Sequence, residues 1–260
     1  MPELPEVEAV CRRLREEAQG ATIRRLAIRR ASICKPDNAE DIEAAARNRK
    51  LLSIERRGKH ILLGLSSGTT LYVHLRMTGN LYVIPDHRFA PLTARALFEL
   101  RDNRAIVFDD PRALGKITLS AKLEQLGVEP LTPAFTAEKL KEMLVQSRQP
   151  AKTFLMDQRH IAGLGNIYAA EALFKARQDP RKPIATKRAG AMYSSIVAVL
   201  ADAVHSAYST YSKPGHLLAA EEQKLMVYGR EGEPCRVCGR AIRRIPQGGR
   251  STYFCAGCQK

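Results

Sequence analysis

The sequence predicts an α+β multidomain protein of three parts: a β-rich N-terminal part headed by a helix, a helical middle part and a small C-terminal hairpin. Three observations support this fold class. The spacing of apolar residues changes from helical to alternating after Gly20, it becomes helical again after Gly127, and the C-terminal segment is rich in Gly, Pro and Cys. We place the three parts at residues 1–126, 127–228 and 229–260.

The N-terminal part is predicted to begin with one helix and to continue as an antiparallel sandwich or barrel. Before Gly20, apolar residues recur at helical spacing, namely Val7, Val10, Cys11 and Leu14. Between residues 22 and 120, short runs alternate apolar and polar residues, and turn signals separate them. Many short strands with such spacing are typical of antiparallel sheets that close or pack on one another.

The middle part is predicted to be helical, and the last part is predicted to need a cross-link. Thr136 is a suitable N-cap for a helix that carries Leu140. Further helical stretches cover residues 152–158, 167–176 and 189–208. The last part has no apolar face large enough to fold alone, so a metal or a covalent bond has to hold it.

The charge balance favours a polyanionic partner. The chain has 42 Lys and Arg against 27 Asp and Glu, which gives a formal net charge of +15. A chain this basic attracts nucleic acid. The sequence shows no apolar stretch of membrane-spanning length, no basic amphipathic helix and no signal-peptide layout at its N-terminus. We therefore expect a cytoplasmic protein that binds nucleic acid and no membrane.

Four cysteines in the last part have the spacing of a zinc site. Cys235-Arg-Val-Cys238 and Cys255-Ala-Gly-Cys258 are two C-x-x-C pairs, and four thiolates at this spacing can hold a metal tetrahedrally. Disulfides are disfavoured without an export signal, and a redox role is the remaining alternative. We expect one structural Zn²⁺, a hairpin between the pairs with Arg250 at its tip, and Cys11 and Cys34 packed as small apolar residues.

The N-terminal dipeptide Pro2-Glu3 allows two interpretations. Proline and acidic residues are favoured at the start of a helix, which is a purely structural explanation. Alternatively, removal of Met1 exposes a secondary amine that is partly unprotonated near neutral pH. Such an amine can attack an aldehyde-level carbon to form an iminium, with Glu3 beside it to transfer a proton.

Three further segments have chemistry-bearing residues at the ends of predicted elements. They are Arg56-Arg-Gly-Lys59, His74-Leu-Arg-Met-Thr-Gly79 and Gly163-Leu-Gly-Asn166. The first two are also explained as solvated strand ends. The third exposes main-chain N–H groups before a helix and suits a phosphate, although most such turns only cap helices.

Taken together, these motifs resemble the bacterial formamidopyrimidine-DNA glycosylase and endonuclease VIII family. The resemblance spans the whole chain in one order. The matching motifs are Pro2-Glu-Leu-Pro-Glu-Val-Glu8, Arg56-Arg-Gly-Lys59, His74-Leu-Arg-Met-Thr-Gly79, Asp110-Pro-Arg112, Gly163-Leu-Gly-Asn-Ile-Tyr-Ala-Ala-Glu171, Val227-Tyr-Gly-Arg230 and the cysteine-rich tail. The N-terminal motif is more similar to the formamidopyrimidine branch.

The resemblance implies a two-sheet β-sandwich with an N-terminal helix, a helix-two-turn-helix domain and a zinc β-hairpin. It implies a monomeric glycosylase and lyase, without a catalytic metal, that acts on double-stranded DNA with oxidised bases or abasic sites. Pro2 would be the nucleophile, Glu3 would act on the sugar ring oxygen, and Lys59 and Arg250 would hold phosphates and support elimination.

The resemblance also implies a set of DNA contacts. Met77, Arg112 and Leu114 match the three residues that fill the space left by an extruded base. The other expected contacts are Arg95, Arg148, Lys152, Asn166 and Tyr228.

The chain departs from the family pattern at three places. Leu114 stands where Phe is usual, Arg95 stands where a phosphate-binding His is common, and the stretch from His205 to Leu225 lacks a Gly-Thr-rich lid. These departures put the preference for 8-oxoguanine in doubt. The alternatives are an endonuclease VIII-like preference for oxidised pyrimidines and a catalytically silent zinc protein that binds damaged DNA.

Overall fold

The computed structural model describes residues 2–210 and 224–260. Within these ranges the chain divides into two compact units: unit 1 holds residues 2–123 and 206–210, and unit 2 holds residues 124–205 and 224–260. The expected α+β organisation, with a β-sandwich, a helical part and a hairpin, is confirmed. The boundaries at residues 126 and 228 stay predictions, because the helical part and the hairpin fall into one unit. Most of the stretch without a lid motif lies outside the described residues.

Unit 1 begins with helix α1, Leu4–Ala18. The helix starts there because Pro5 suits a first turn and because Glu3 and Glu6 form a capping box, in which the Glu3 N–H donates to Glu6 Oε2 at 2.7 Å. The apolar residues that predicted the helix are all fully buried on one of its faces. A second helix, α2 (Ala39–Ala46), was not predicted.

Eight antiparallel strands build the rest of unit 1. They are β1 (Thr22–Ile28), β2 (Arg49–Arg57), β3 (His60–Leu65), β4 (Thr70–His74), β5 (Asn80–Ile84), β6 (Ala94–Leu100), β7 (Ala105–Asp109) and β8 (Lys116–Thr118). Their hydrogen-bonded order is β5-β7-β6-β1-β2-β3-β4-β8. Only two residue pairs join β1 to β2, so the strands form two sheets of four.

One apolar core lies between the two sheets and α1. It contains side chains from α1 and from strands of both sheets, among them Val7, Phe98 and Leu71. Cys11 and Cys34 are fully buried within it, as expected for small apolar residues. Burial raises the pKa of the Cys11 thiol to about 12. The core fixes the strand register, because a slip of one residue would turn every core side chain outwards.

Unit 2 consists of helices and one hairpin. The helices are α3 (Ala137–Val145), α4 (Ala151–Met156), α5 (Asn166–Lys175) and α6 (Ala189–Thr210), of which residues 206–210 belong to unit 1, and the hairpin strands are β9 (Arg243–Gln247) and β10 (Arg250–Phe254). The predicted cap of α3 is confirmed, since Thr136 Oγ1 accepts from the Lys139 N–H at 3.0 Å. Among the described residues, no helix has the length and apolar character needed to cross a membrane.

Candidate active site and nucleic-acid interface

Pro2 and Glu3 lie at the N-terminal end of α1, and both are buried. Glu3 is the N-cap of the helix, and its side chain takes part in the capping box with Glu6. The structural interpretation of this dipeptide is therefore correct. It is also compatible with the catalytic one, because the helix start fixes a buried carboxylate directly beside the residue that would carry the amine.

Strand pairing brings three turns that carry predicted site residues to one end of the sheet β2-β3-β4-β8. His60 on β3 pairs with His74 on β4, and His74 pairs with Lys116 on β8. The residues directly before His60, after His74 and before Lys116 therefore lie at the same sheet end. Four of the predicted site residues belong to these turns, namely Lys59, Met77, Arg112 and Leu114.

The environment of the two paired histidines lowers the pKa of both and favours their neutral forms. Their rings meet edge to face, with centroids 4.7 Å apart. Burial, the neighbouring His60 and the charges of Arg76 and Lys59 lower the pKa of His74 to about 3. A neutral ring is required here, because His74 Nδ1 accepts a hydrogen bond from the Arg76 main-chain N–H at 3.0 Å. The imidazole thus holds the turn that leads to Met77.

A buried carboxylate ties the Met77 turn to the Leu114 turn. Asp110 is fully buried, and it accepts hydrogen bonds from Thr78 Oγ1 at 2.5 Å and from the Gly115 N–H at 2.7 Å. A Cβ on Gly115 would lie 2.4 Å from the Phe108 ring, so only glycine fits this approach. The sequence motif around Asp110 was noted, but the link that it makes was not predicted.

The two apolar wedge candidates are presented to solvent by these rigid turns. Met77 and Leu114 are each 42% exposed, although both are large apolar residues in a unit with a well-packed core. Exposed apolar side chains on braced turns suit insertion between bases. Arg112 is exposed on the same turn as Leu114, and Ala113 between them has a φ of 51°.

Arg95 uses part of its guanidinium to hold the turn that leads to Arg112. Its Nε and Nη2 donate to the main-chain carbonyls of Asp110 and Pro111 at 2.7 and 2.8 Å. Three of its five N–H donors are not used by these bonds. A DNA contact of Arg95 stays a prediction.

The turn that carries Lys59 is braced from α1. Arg56 donates from Nε to Glu8 Oε2 at 3.0 Å and from Nη1 to the Gly58 carbonyl at 3.1 Å. Burial alone would raise the pKa of Glu8, but the charges and hydrogen bonds of its arginine partners, above all Arg56, outweigh burial and lower it. Sequence reasoning missed this brace. The available signal was an acidic residue on the buried face of α1.

In unit 2, Arg250 lies at the tip of the hairpin, as predicted. Gln247 pairs with Arg250 across a two-residue turn, in which Gly248 and Gly249 have φ of 58° and 71°. Positive φ at both positions matches the twist of a tight hairpin and favours glycine. Arg250 itself is exposed.

Lys152 and Asn166, which were predicted to contact DNA, hold strand β10 next to Arg250. Lys152 Nζ donates to the Ser251 carbonyl at 3.3 Å and to Thr252 Oγ1 at 3.1 Å, and Asn166 Nδ2 donates to the same carbonyl at 3.1 Å. Lys152 is only 1% exposed. These contacts give Lys152 and Asn166 a bracing position, and direct DNA contacts of both stay predictions.

A second buried carboxylate orders the segment before the hairpin. Glu171 accepts from the main-chain N–H groups of Met226, Val227 and Tyr228 at 2.7, 2.9 and 2.9 Å. The Tyr228 ring packs against Tyr253 of β10, with centroids 5.1 Å apart. This role of Glu171 was not predicted. The remaining candidate, Arg148, is exposed between α3 and α4.

The four cysteines of the tail form one cluster whose geometry fits zinc. Their sulfur atoms all lie within 4.8 Å of one another, with Cys235 and Cys258 3.9 Å apart and Cys238 and Cys255 3.4 Å apart. Tetrahedral Zn–S bonds of about 2.3 Å require sulfur separations of roughly 3.8 Å. A disulfide would need about 2.05 Å. The cluster therefore supports one structural zinc.

Three family models match consecutive parts of the chain. The formamidopyrimidine-DNA glycosylase N-terminal domain matches residues 1–117, the formamidopyrimidine-DNA glycosylase H2TH domain matches residues 126–214, and a zinc finger found in FPG and IleRS matches residues 232–260. The formamidopyrimidine-DNA glycosylase of Thermus thermophilus is 39% identical over 275 residues, which cover 100% of this chain and 98% of the relative. That of Pseudomonas aeruginosa is 36% identical over 276 residues, with 100% of both chains covered.

Solved structures agree with these matches. The MutM (Fpg) protein of Thermus thermophilus superposes with a TM-score of 0.85 at 37% identity, covering 99% of this chain and 98% of that one. A complex of the Lactococcus lactis Fpg with DNA that contains an abasic site superposes with a TM-score of 0.88 at 28% identity, covering 99% of each chain.

Proposed function

The chain belongs to the formamidopyrimidine-DNA glycosylase family of DNA repair enzymes, and from that premise we propose a bifunctional reaction on double-stranded DNA. The enzyme excises oxidised bases, namely 8-oxoguanine and formamidopyrimidines, and then cleaves the strand at the abasic site by β,δ-elimination. The observation that carries this proposal is the buried Glu3 carboxylate at the start of α1, directly after Pro2.

The first step is a substitution at the sugar. Removal of Met1 frees the amine of Pro2, whose nitrogen attacks C1′ while the bond from C1′ to the base breaks and the base leaves with a proton. Glu3 protonates the ring oxygen, the ring opens and a charged Schiff base remains. The burial of Glu3 suits a group that transfers a proton at a site from which bulk water is excluded.

The second step uses the Schiff base as an electron sink. Loss of a proton from C2′ expels the 3′ phosphate, a second elimination expels the 5′ phosphate, and hydrolysis of the imine frees Pro2. Lys59 holds a phosphate at the lesion and supports elimination, and Arg250 binds flanking phosphates and assists the second cut. Both are cations at the ends of braced turns, which suits the binding of phosphate charges.

Base extrusion assigns roles to the exposed turns of unit 1. Met77 and Leu114 fill the space that the base leaves, and Arg112 donates to the orphaned base on the other strand. Arg95, Arg148, Lys152, Asn166 and Tyr228 are proposed to contact DNA, and Lys152 and Asn166 also hold the strand that carries Arg250.

One structural zinc is proposed to be held by the four clustered thiolates, and no metal is proposed at the reacting centre. The zinc would fix the turns at the base of the hairpin. We also propose that the protein acts as a cytoplasmic monomer on chromosomal DNA.

A panel of duplexes tests this proposal. The panel contains 8-oxoguanine, formamidopyrimidine, thymine glycol, dihydrouracil or an abasic site, and each duplex is incubated with the native protein and borohydride. Reduction should join the protein irreversibly to lesion strands of the first two types, and native protein without borohydride should release doubly cut products. A protein with an N-terminal extension before Pro2 is the control and should neither trap nor cut. Equal trapping by the extended protein would move the nucleophile to a lysine, with Lys59 the first suspect.

The same panel distinguishes a second candidate function. The exposed side chain at position 114 is Leu where Phe is usual in the formamidopyrimidine branch, and this departure is the basis for the second candidate. Faster excision of thymine glycol and dihydrouracil than of 8-oxoguanine would assign the chain an endonuclease VIII-like preference. Binding to every duplex without cutting would indicate a catalytically silent protein.

A further inference from the structure

Unit 1 contains a strongly basic cavity that the proposed reaction does not use. The cavity has a volume of about 630 Å³, and five arginines line it, namely Arg24, Arg25, Arg29, Arg47 and Arg88. We call it the arginine cavity. A volume of this size is in the range of a ligand of one or a few nucleotides.

The arginine cavity lies on the outer face of the sheet. Side chains alternate along β6, so that Phe98 points into the core while Leu97 and Glu99 point to the opposite face and line the cavity. None of the predicted catalytic or DNA-binding residues is part of its lining. The cavity is therefore separate from the sheet end that carries Lys59 and Met77.

A buried carboxylate orients two of the arginines. Glu99 has a side chain that is 7% exposed, and its two oxygens accept from Arg24 Nη2 at 2.8 Å and from Arg25 Nη2 at 2.9 Å. Each guanidinium has five N–H donors, so most of them stay available to a ligand. Asp86 fixes Arg88 in the same way, through Nε at 2.9 Å and Nη2 at 2.6 Å.

The other two arginines have no partner among the described residues. The side chains of Arg29 and Arg47 are exposed and make no hydrogen bond or ion pair with residues 2–210 or 224–260. Around the cavity, five positive charges thus face two carboxylates, Glu99 and Asp86. Like charges that converge on a concave surface repel one another and attract a polyanion.

Two exposed apolar side chains that follow the lining residue Arg88 in the chain favour one class of ligand. Phe89 and Leu92 follow Arg88 in the same loop and are 76% and 98% exposed. Single-stranded nucleic acid is bound by a positive groove together with exposed rings on which bases stack. A small polyphosphate would make no use of these side chains.

From this arrangement we propose that the arginine cavity binds the phosphodiester backbone of a single DNA strand, at a site separate from the one that carries Pro2. Arg29 and Arg47 make direct phosphate contacts, and Arg24, Arg25 and Arg88 are held in place by their carboxylates. Phe89 stacks on a base of the bound strand.

The proposal is tested with the whole zinc-containing protein, after an abasic-analogue duplex has saturated the reaction site. A labelled ten-nucleotide oligo-dT is then titrated by fluorescence anisotropy at several salt concentrations. Native protein should bind it. The double variant Arg29→Ala/Arg47→Ala should bind about fivefold to tenfold more weakly, because it loses two exposed charge contacts. Its salt slope should fall by about 1.4, since each phosphate contact on a single strand contributes about 0.7.

Controls separate this site from the reaction and from net charge. Lys141→Ala/Lys175→Ala removes two exposed charges from unit 2 and should leave oligo-dT binding unchanged. Phe89→Ala should weaken oligo-dT binding without changing the salt slope. Cleavage of a short 8-oxoguanine duplex should be the same in all these variants, so that a failure of the proposed glycosylase reaction would be seen independently.

Two results would overturn the proposal. The first is equal affinity and equal salt slope in the native protein and the Arg29→Ala/Arg47→Ala variant. The second is displacement of oligo-dT by inorganic triphosphate at lower concentration than by unlabelled oligo-dT, because that result would indicate a small polyphosphate site. The exposed, unpartnered side chains of Arg29 and Arg47 can be removed without loss of folding, which an unchanged melting temperature would verify.

Discussion

The β-sandwich of unit 1 and the hairpin of unit 2 each carry a cation that we propose to contact phosphates, but the two parts fix these cations in different ways. In the sandwich, Lys59 lies at the end of strands whose register a large core determines. In the hairpin, Arg250 lies at the tip of two strands with few buried apolar residues, among them Phe254 and Ile242. The hairpin packs on a much smaller apolar cluster, which includes Phe174, Val227 and Ile242, and it adds four clustered cysteines and a few polar contacts.

This difference predicts how each part responds to the loss of one polar contact. In the sandwich, polar contacts such as those of Asp110 position turns on sheets that the apolar core already stabilises. In the hairpin, the polar contacts of Lys152 and Asn166 and the proposed zinc site supplement a small apolar cluster, so each contact supplies a larger share of what fixes the strands. Loss of one link should therefore change local geometry in the sandwich and the whole position of Arg250 in the hairpin.

The largest effect is expected from Glu3→Gln, which tests the chemistry at the head of the sandwich. Glutamine keeps an oxygen for the capping box but cannot transfer a proton, so base excision should slow by roughly 10²- to 10⁴-fold. Cleavage of a preformed abasic site should slow much less, because no base has to leave. Single-turnover assays on both duplexes measure the two rates. Equal losses on both substrates would show that Glu3 acts only on the helix start.

The next largest effect is expected from Cys238→Ser, which removes a proposed zinc ligand. Structural zinc contributes on the order of 10 kcal/mol to small sites, so the hairpin should lose its fixed geometry. Affinity for lesion duplex should fall roughly tenfold or more, since Arg250 and its neighbours no longer meet phosphates together. Elemental analysis and anisotropy measure zinc and affinity.

The matched control for the hairpin is Arg250→Ala, which keeps the thiolates and removes one cation. It should retain zinc and should weaken duplex binding less than Cys238→Ser does. Unit 1 should keep its thermal transition in both variants. A Cys238→Ser protein that binds duplex as well as the native one would show that polar contacts alone hold the hairpin, which would remove the contrast between the two regions.

A smaller effect is expected from Asp110→Asn in the sandwich. The amide has to present an N–H₂ group to the hydroxyl of Thr78 or the N–H of Gly115, both of which now donate to the carboxylate. One unsatisfied buried donor costs about 1–3 kcal/mol in the free energy of unfolding. Chemical denaturation measures this loss. Asp102→Asn, which breaks a pair between half-exposed side chains with Arg104, should cost less than about 1 kcal/mol.

The contrast also explains how much the sequence could predict. Alternation and helical spacing predicted the strands and most helices because burial of one face leaves a period in the sequence, and the C-x-x-C pairs predicted the cysteine cluster from spacing alone. Asp110, Glu171 and Glu8 were missed as braces because their partners are mostly main-chain groups or side chains far along the chain. Such contacts depend on three-dimensional proximity and leave no local pattern.

Lys152 is a second example of a residue whose contacts could not be predicted from the sequence. The family resemblance implied a DNA contact, and in the structure the ammonium group is buried against the Ser251 carbonyl and Thr252 Oγ1. A lysine in a basic chain that binds DNA looks like a phosphate ligand until its neighbours are known. Burial of its charge beside the hairpin shows that Lys152 helps to fix β10, and its DNA contact stays a prediction.

The smallest effect is expected from Glu8→Gln, which weakens the brace between α1 and the Lys59 turn. Because the pKa of Glu8 is lowered in the folded protein, its ionised form stabilises the fold fully above the unfolded pKa of about 4.5. This stabilisation is lost as the pH falls through the folded pKa. The variant should therefore be about 1 kcal/mol less stable than the native protein at pH 7, and the difference should shrink as the pH falls below 4.5.

Urea denaturation at pH 7 and at several values below pH 4.5 measures that difference. Glu142→Gln, which breaks an exposed pair with Lys139, should change stability by less than about 0.5 kcal/mol at any pH. Glu8→Gln should also slow cleavage slightly. Glu8 positions Arg56, and Arg56 in turn positions the Gly58 carbonyl next to Lys59, so a weaker first contact loosens the second. A stability difference that grows as the pH falls would reverse the sign of the linkage. It would then show that Glu8 is held in the fold by burial and not by Arg56.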